Sequence, residues 1–208
     1  MNIIVFGDSI TQGFHDDMKG GWVARLFSSC VTEMMQSDYE KYVSVFNLGI
    51  SGERSCDIAR RFNVEFEARY EEGVVTIFAV GINDSAKHSK TGVNWCELDE
   101  YISNMQKMIE QAKQHGQVVL VGLTALDENR LTPIPWFLEY SHYQADRDDY
   151  DTALKKLAAK NDCLYIPTED IFLNKKEELL PDGLHPNAAG HQLIYERVKG
   201  ELEKAGIL

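Results

Sequence analysis

Residues 73–81 read Gly73-Val74-Val75-Thr76-Ile77-Phe78-Ala79-Val80-Gly81. From Val74 to Val80 the run is apolar apart from Thr76, and a glycine closes each end. A strand with one wet face would alternate apolar and polar residues; this one does not. It therefore reads as a strand covered on both faces, the pattern of a parallel sheet between layers of helix. Similar short runs lie on either side of it, at Ile3–Phe6, Val43–Phe46, Val118–Leu123 and Cys163–Ile166. Longer stretches with helical spacing separate them: Trp22–Met35, Ile58–Tyr70, Leu98–Ala112, Tyr150–Ala159 and Ala188–Val198. Alternating strand and helix imply parallel strands joined by helical crossovers. The expected fold is α/β, a three-layer α/β/α sandwich.

The chain has 208 residues, which suits one domain spanning 1–208. One irregular stretch, about 124–145, holds Pro133, Pro135, Trp136, Phe137, Tyr140 and Tyr143. It is long for a connection in a compact domain, and such loops are often functional. Two readings are held equal. Trp136 and Phe137 form a wall or lid over a substrate pocket, or these aromatics pack the loop onto the body.

Apolar residues make up 44% and charged residues 26%, with a formal net charge of −12. An acidic surface repels phosphate backbones and anionic lipid, so nucleic acid is not the expected partner. No apolar run is long enough for a membrane span. Cys30, Cys56, Cys96 and Cys163 form no C-x-x-C pair and no zinc-ligand spacing. They read as reduced thiols, with two scattered disulfides as the alternative. No signal peptide is visible before Ile3, so the expected location is cytoplasmic.

In open parallel sheets, ligands sit beyond the carboxyl ends of the strands. Gly7-Asp8-Ser9-Ile10 follows the first strand, Asn47-Leu48-Gly49 ends the second, and Gly81-Ile82-Asn83-Asp84 follows the third. Asp182-Gly183-Leu184-His185-Pro186 precedes the last helix. A serine hydroxyl needs an adjacent base, and imidazole titrates near neutrality. Asp182, three residues before His185, can hold the ring in one tautomer. Gly49 and Asn83 can offer a backbone N–H and a carboxamide N–H to a developing oxyanion, with the Ser9 N–H as a third donor. Taken singly, each of these is ordinary: a capping serine, a turn glycine, a turn asparagine, a turn before a helix. The combination, in this order behind successive strands, is not.

As a set these blocks resemble the SGNH hydrolases, also called GDSL-type esterases and lipases, over nearly the whole chain. The first block reads Gly-Asp-Ser-Ile where the family name has leucine. The resemblance implies a flavodoxin-like five-stranded parallel sheet and no metal or organic cofactor. It implies Ser9 as nucleophile, Asp182 and His185 as the rest of the triad, and Ser9, Gly49 and Asn83 as the oxyanion hole. It implies cleavage of a small-molecule carboxylic ester through an acyl-enzyme. Acyl transfer or carbohydrate deacetylation at the same site is the near alternative, and a non-catalytic binding module the distant one. Asp8 and Asp84 also match the pattern and read as loop anchors.

The α/β-hydrolase elbow G-x-S-x-G is absent, because Thr11 stands at the second glycine. No Walker loop or G-x-G-x-x-G follows the first strand, so a phosphate cradle is missing. His15-Asp16-Asp17 reads as a solvated loop in preference to a metal site. His88, His115 and His142 read as surface residues. His191 competes with His185 as base but lacks a carboxylate three residues before it.

Overall fold

The computed structural model describes residues 1–208. In chain order its elements are β1 (Asn2–Gly7), α1 (Ser9–Gln12), α2 (Gly21–Gln36), β2 (Ser44–Gly49), α3 (Ser55–Glu67) and β3 (Val74–Ala79). Then come β4 (Lys87–His88), α4 (Leu98–Lys113), β5 (Gly116–Val121), β6 (Tyr140–Ser141), α5 (Gln144–Lys160), β7 (Leu164–Ile166), α6 (Lys176–Leu179) and α7 (Ala188–Lys204). The expected strands and helices are all present, with ends displaced by a few residues. The largest shifts are six residues, at the end of α7, which runs past Val198 to Lys204, and at the start of α5, which begins six residues before Tyr150. Its first turns, Gln144-Ala145-Asp146-Arg147-Asp148-Asp149, are too polar to show an apolar period.

The main sheet has five strands in the order β2-β1-β3-β5-β7, and every pairing in it is parallel. This is the flavodoxin-like order. Helices α2 and α7 pack together on one face, and α3, α4 and α5 line up on the other. The continuous apolar strands answer to this covering. Ile3 to Phe6 and Ile77 to Phe78 are fully enclosed in a core of 47 buried residues. Phe6, Phe62 and Phe78 interlock across the sheet and α3, with ring centroids 5.1–5.7 Å apart. No helix is long and apolar enough to cross a membrane.

The strand order reverses at β1. The chain leaves β1 for β2 on one side and returns through α3 to β3 on the other. The reversal opens a crevice at the carboxyl ends of β1 and β3. Two glycines let the backbone close around it. A Cβ on Gly7 would fall 2.0 Å from the Thr11 hydroxyl oxygen, and one on Gly49 would fall 2.3 Å from the Gln12 nitrogen. The turn of α1 is thereby seated directly on the ends of β1 and β2.

Candidate active site

Asp8 starts the site. Its carboxylate accepts the Ile10 N–H at 3.0 Å and caps α1, and Gly13 ends the helix in the left-handed region. Ser9 is thus the first residue of a single helical turn, where a backbone N–H has no intrahelical acceptor. Its hydroxyl lies 2.8 Å from His185 Nε2.

His185 Nδ1 lies 2.6 Å from Asp182 Oδ2. The other carboxylate oxygen accepts the Leu184 and His185 backbone N–H groups at 2.9 and 2.8 Å. Gly183, at φ 92°, makes the turn that folds Asp182 back onto its neighbours. Burial alone would raise the Asp182 carboxyl; the hydrogen bonds from the His185 ring and these two amides outweigh it and hold it at about 2. It therefore stays anionic beside the imidazole across the neutral range. The structure brings together Ser9, His185 and Asp182, separated by up to 176 positions in sequence.

Of the residues expected to form an oxyanion hole, the structure places one away from the cleft. Asn83 is where it was expected: it lines the cleft, and one carboxamide N–H is donated to the Glu53 carbonyl at 2.9 Å. That bond orients the amide and leaves its other N–H for a ligand. Gly49 is not. Its N–H is already donated to Asn47 Oδ1 at 3.0 Å, and it is absent from the cleft lining. Its glycine identity is explained by the contact with α1. Three residues on, Gly52 lines the cleft at φ 82°, and its N–H has no acceptor in the protein. Asn47 could have given the warning, since an asparagine two residues before a backbone N–H often forms a side-chain turn with it.

Asp84 fixes the geometry between these donors. Its buried carboxylate accepts the Ser55 N–H at 3.0 Å and the Ser55 hydroxyl at 2.5 Å, at the first turn of α3. The loop bearing Gly52 and the loop bearing Asn83 are so tied to one another. Asp8 and Asp84 are the loop anchors expected of them. Burial pushes the carboxyl of Asp8 up to about 7 and that of Asp84 up to about 6.

The His15-Asp16-Asp17 run is not a solvated loop. His15 and Asp17 are exposed, and of the three only Asp17 has no ion-pair partner. Asp16 is buried against Arg25 and also accepts the Met18, Lys19 and Gly21 amides. Arg25 in turn reaches Gln192 and the Ala188 carbonyl of α7. His15 Nε2 lies 3.2 Å from Asp182 Oδ2, and its ring stacks on His185 with centroids 5.7 Å apart. His15, Asp182 and His185 bring three ligand atoms within 4.8 Å of one another. Asp182 Oδ2 is shared by the two imidazoles in ordinary hydrogen-bond and ion-pair contact.

Of the other histidines, His115 is exposed and His88 half-buried against Tyr140. His142 is not a surface residue: only 1% of it is exposed, and it lines the cleft. The short antiparallel pair β4–β6 folds it inward, a long-range pairing with no local sequence signal. His191 does not reach the cleft. Its Nε2 lies 3.0 Å from the Phe14 carbonyl, bracing the loop that carries Phe14 and His15.

The 124–145 segment serves both readings. Leu131 and Ile134 are buried. The Asp127 N–H is donated to the Gly183 carbonyl at 2.8 Å, and the Arg130 guanidinium to the carbonyls of Leu180 and Pro181. These contacts clamp the turn that carries Asp182. Trp136, by contrast, is 52% exposed and stands with its ring 5.6 Å from that of His185. Phe137 packs between Trp95 and Tyr140. The cleft they wall has a volume of about 670 Å³ and opens onto Ser9.

Known proteins resemble this chain in sequence and in fold. A GDSL esterase/lipase of Arabidopsis thaliana is 26% identical, covering 99% of this chain and 87% of its own. The protein YpmR of Bacillus subtilis is 24% identical, covering 99% and 82%. Among solved structures, the acetylxylan esterase Axe2 of Geobacillus stearothermophilus superposes with a TM-score of 0.69, 22% identity, and coverage of 97% and 93%. The hydrolase LAE5 from the metagenome of Lake Arreo gives 0.71 and 22%, with coverage of 100% and 95%. The sheet order and the sequence blocks meet in one further match, in which the model of the GDSL-like lipase/acylhydrolase family aligns with residues 5–193. The chain belongs to that family.

Proposed function

We propose that this ester hydrolase works as one domain through an acyl-enzyme formed on Ser9. The observation that carries the reading is the unbroken relay from Ser9 Oγ through His185 to Asp182, at 2.8 and 2.6 Å. Ser9 Oγ attacks the ester carbonyl carbon while its proton passes to His185 Nε2. The Asp182 carboxylate stabilises the imidazolium that results. The carbonyl oxygen, now anionic, lies among the Ser9 N–H, the Gly52 N–H and the free N–H of Asn83. Collapse of this intermediate breaks the C–O bond, and His185 returns its proton to the departing alcohol. Water then enters, loses a proton to His185, and releases the acid and a restored Ser9.

The test is hydrolysis of p-nitrophenyl acetate, butyrate and octanoate by the wild type and Ser9→Ala, alongside labelling with a fluorophosphonate. Activity and label should both vanish in Ser9→Ala while its circular dichroism is unchanged. Equal activity in the two proteins would sink Ser9 as nucleophile, and a wild type that neither labels nor turns over is a binding module. A sugar deacetylase is the second reading, favoured by the exposed indole of Trp136 beside His185 and by the acetylxylan esterases of the same fold. Acetate release from acetylated xylo-oligosaccharides tests it. Acylated product formed in excess over free acid, with an added alcohol, would indicate acyl transfer instead. The four unpaired cysteines support a reducing compartment, such as the cytoplasm.

A further inference from the structure

His142 is the one ionisable side chain of the cleft that the relay does not use and nothing in the protein engages. Asp182, His185 and His15 are bound to one another. The His142 ring has no hydrogen-bond partner: Nδ1 is enclosed without one, and Nε2 makes no bond to the protein. Its backbone is firmly placed, with the His142 N–H donated to the Leu131 carbonyl at 3.0 Å. The cleft that it lines carries apolar and aromatic walls in Ala86, Trp95, Ile134, Phe137 and Leu184. A buried polar group without a partner is destabilising, so one held against a binding cleft stands to gain from a polar group of a bound ligand.

We propose that His142 is a substrate-binding residue, whose ring hydrogen-bonds to a hydroxyl group of the ester. This rests on the ester-hydrolase reading of the same cleft. A neutral imidazole offers one donor and one acceptor, the same pair a hydroxyl offers in return. Burial, together with the neighbouring His185, pushes the ring down to about 4, so it stays neutral where the hydrolase works. A neutral ring gives a carboxylate or phosphate no charge to pair with. The Asp182 carboxylate in the same cleft and the net charge of −12 disfavour anions further. A plain hydrocarbon would leave the ring unpaired, which is how such sites reject the analogue lacking the hydroxyl.

The experiment uses two matched pairs of esters with wild type, His142→Leu and His142→Gln. Hydroxyethyl acetate against propyl acetate places the hydroxyl on the alcohol part, as in a sugar or polyol ester. Ethyl hydroxybutyrate against ethyl methylbutyrate places it on the acyl part. Wild type should favour the hydroxylated member of one pair by about ten- to a hundredfold in kcat/KM, the worth of one buried hydrogen bond left unmade. The responding pair names the side of the ester that His142 reads. His142→Leu should lose that preference, its kcat/KM ratio between the two members of the pair falling towards one. His142→Gln, which keeps a donor and an acceptor, should restore part of it. His142→Leu should also melt at the same or a higher temperature, where a purely structural histidine would melt lower. The same preference ratios in wild type and His142→Leu, or no preference in wild type for either pair, would overturn the assignment. A wild type that hydrolyses none of the four esters and takes no fluorophosphonate would overturn the hydrolase reading itself.

Discussion

Asp8 makes the stability of this protein depend on pH in an uncommon direction. Its carboxyl is raised from 3.8 to about 7 by burial. An acid with a raised folded value keeps its proton in the folded state where the unfolded chain has lost it. Stability therefore falls as pH rises from 3.8 towards 7 and is flat beyond both limits. At pH 8 the full cost is about 4 kcal/mol, from roughly three pKa units at 1.36 kcal/mol each, and at pH 5 it is less than half of that. Asp8→Asn removes this titration and keeps a good N-cap for the Ile10 N–H. The new amide N–H must find a partner, at a cost of about 1 kcal/mol that is the same at every pH. The readout is then the gap between variant and wild type at pH 8, less the gap at pH 5. That difference is about 2–3 kcal/mol, or about 4–12 °C in melting temperature for a chain of this size. Thermal melts by circular dichroism at both values measure it. Asp84, also raised chiefly by burial, adds to the Asp8 shift through its charge, so part of the pH-dependent gap belongs to the pair. Melting curves that run parallel from pH 5 to pH 8 would refute the reasoning, since Asp8 would then titrate alike folded and unfolded.

Three further outcomes are expected. Asn83→Ala should lower kcat by about 10²–10³, the usual loss of one oxyanion donor, with KM little changed, and steady-state kinetics on p-nitrophenyl acetate will show it. Asp16→Ala should cost about 3–5 kcal/mol in urea unfolding, because it leaves the buried Arg25 guanidinium without its carboxylate; a loss near zero would mean that Arg25 finds water instead. Trp136→Ala should shift acyl-chain preference or KM across the acetate-to-octanoate series, and lowered stability with an unchanged selectivity profile would return Trp136 to a packing role.

The parts legible in the sequence are those with local causes. Val74 to Val80 announces a covered strand because its side chains are buried, Ala79 alone being partly exposed. Asp182 and His185 can be paired on paper because a single turn joins them. The oxyanion glycine could not be read in the same way. Gly49 and Gly52 lie three apart, and which of them faces the cleft depends on where β2 stops and where the Asn47 side chain turns. His142 was harder still. Its burial follows from Lys87 and His88 pairing with Tyr140 and Ser141, more than fifty positions away, and its own neighbours in sequence are polar. Asp16 looked solvated for the opposite reason: its partner Arg25 lies on the next helix, where an isolated arginine suggests an outer face.

The distance along the chain between Ser9 and His185 has a meaning for the order of events in folding. The relay closes across 176 positions, and closing so long a loop is entropically only slightly dearer than closing a short one. Its two ends are held in register by the β1–β3–β5 ladder and the docked α7, so the relay is complete only when both are in place. Ester turnover is thus a clock for the last step of assembly: secondary structure recovered in refolding should run ahead of the first molecule of product released.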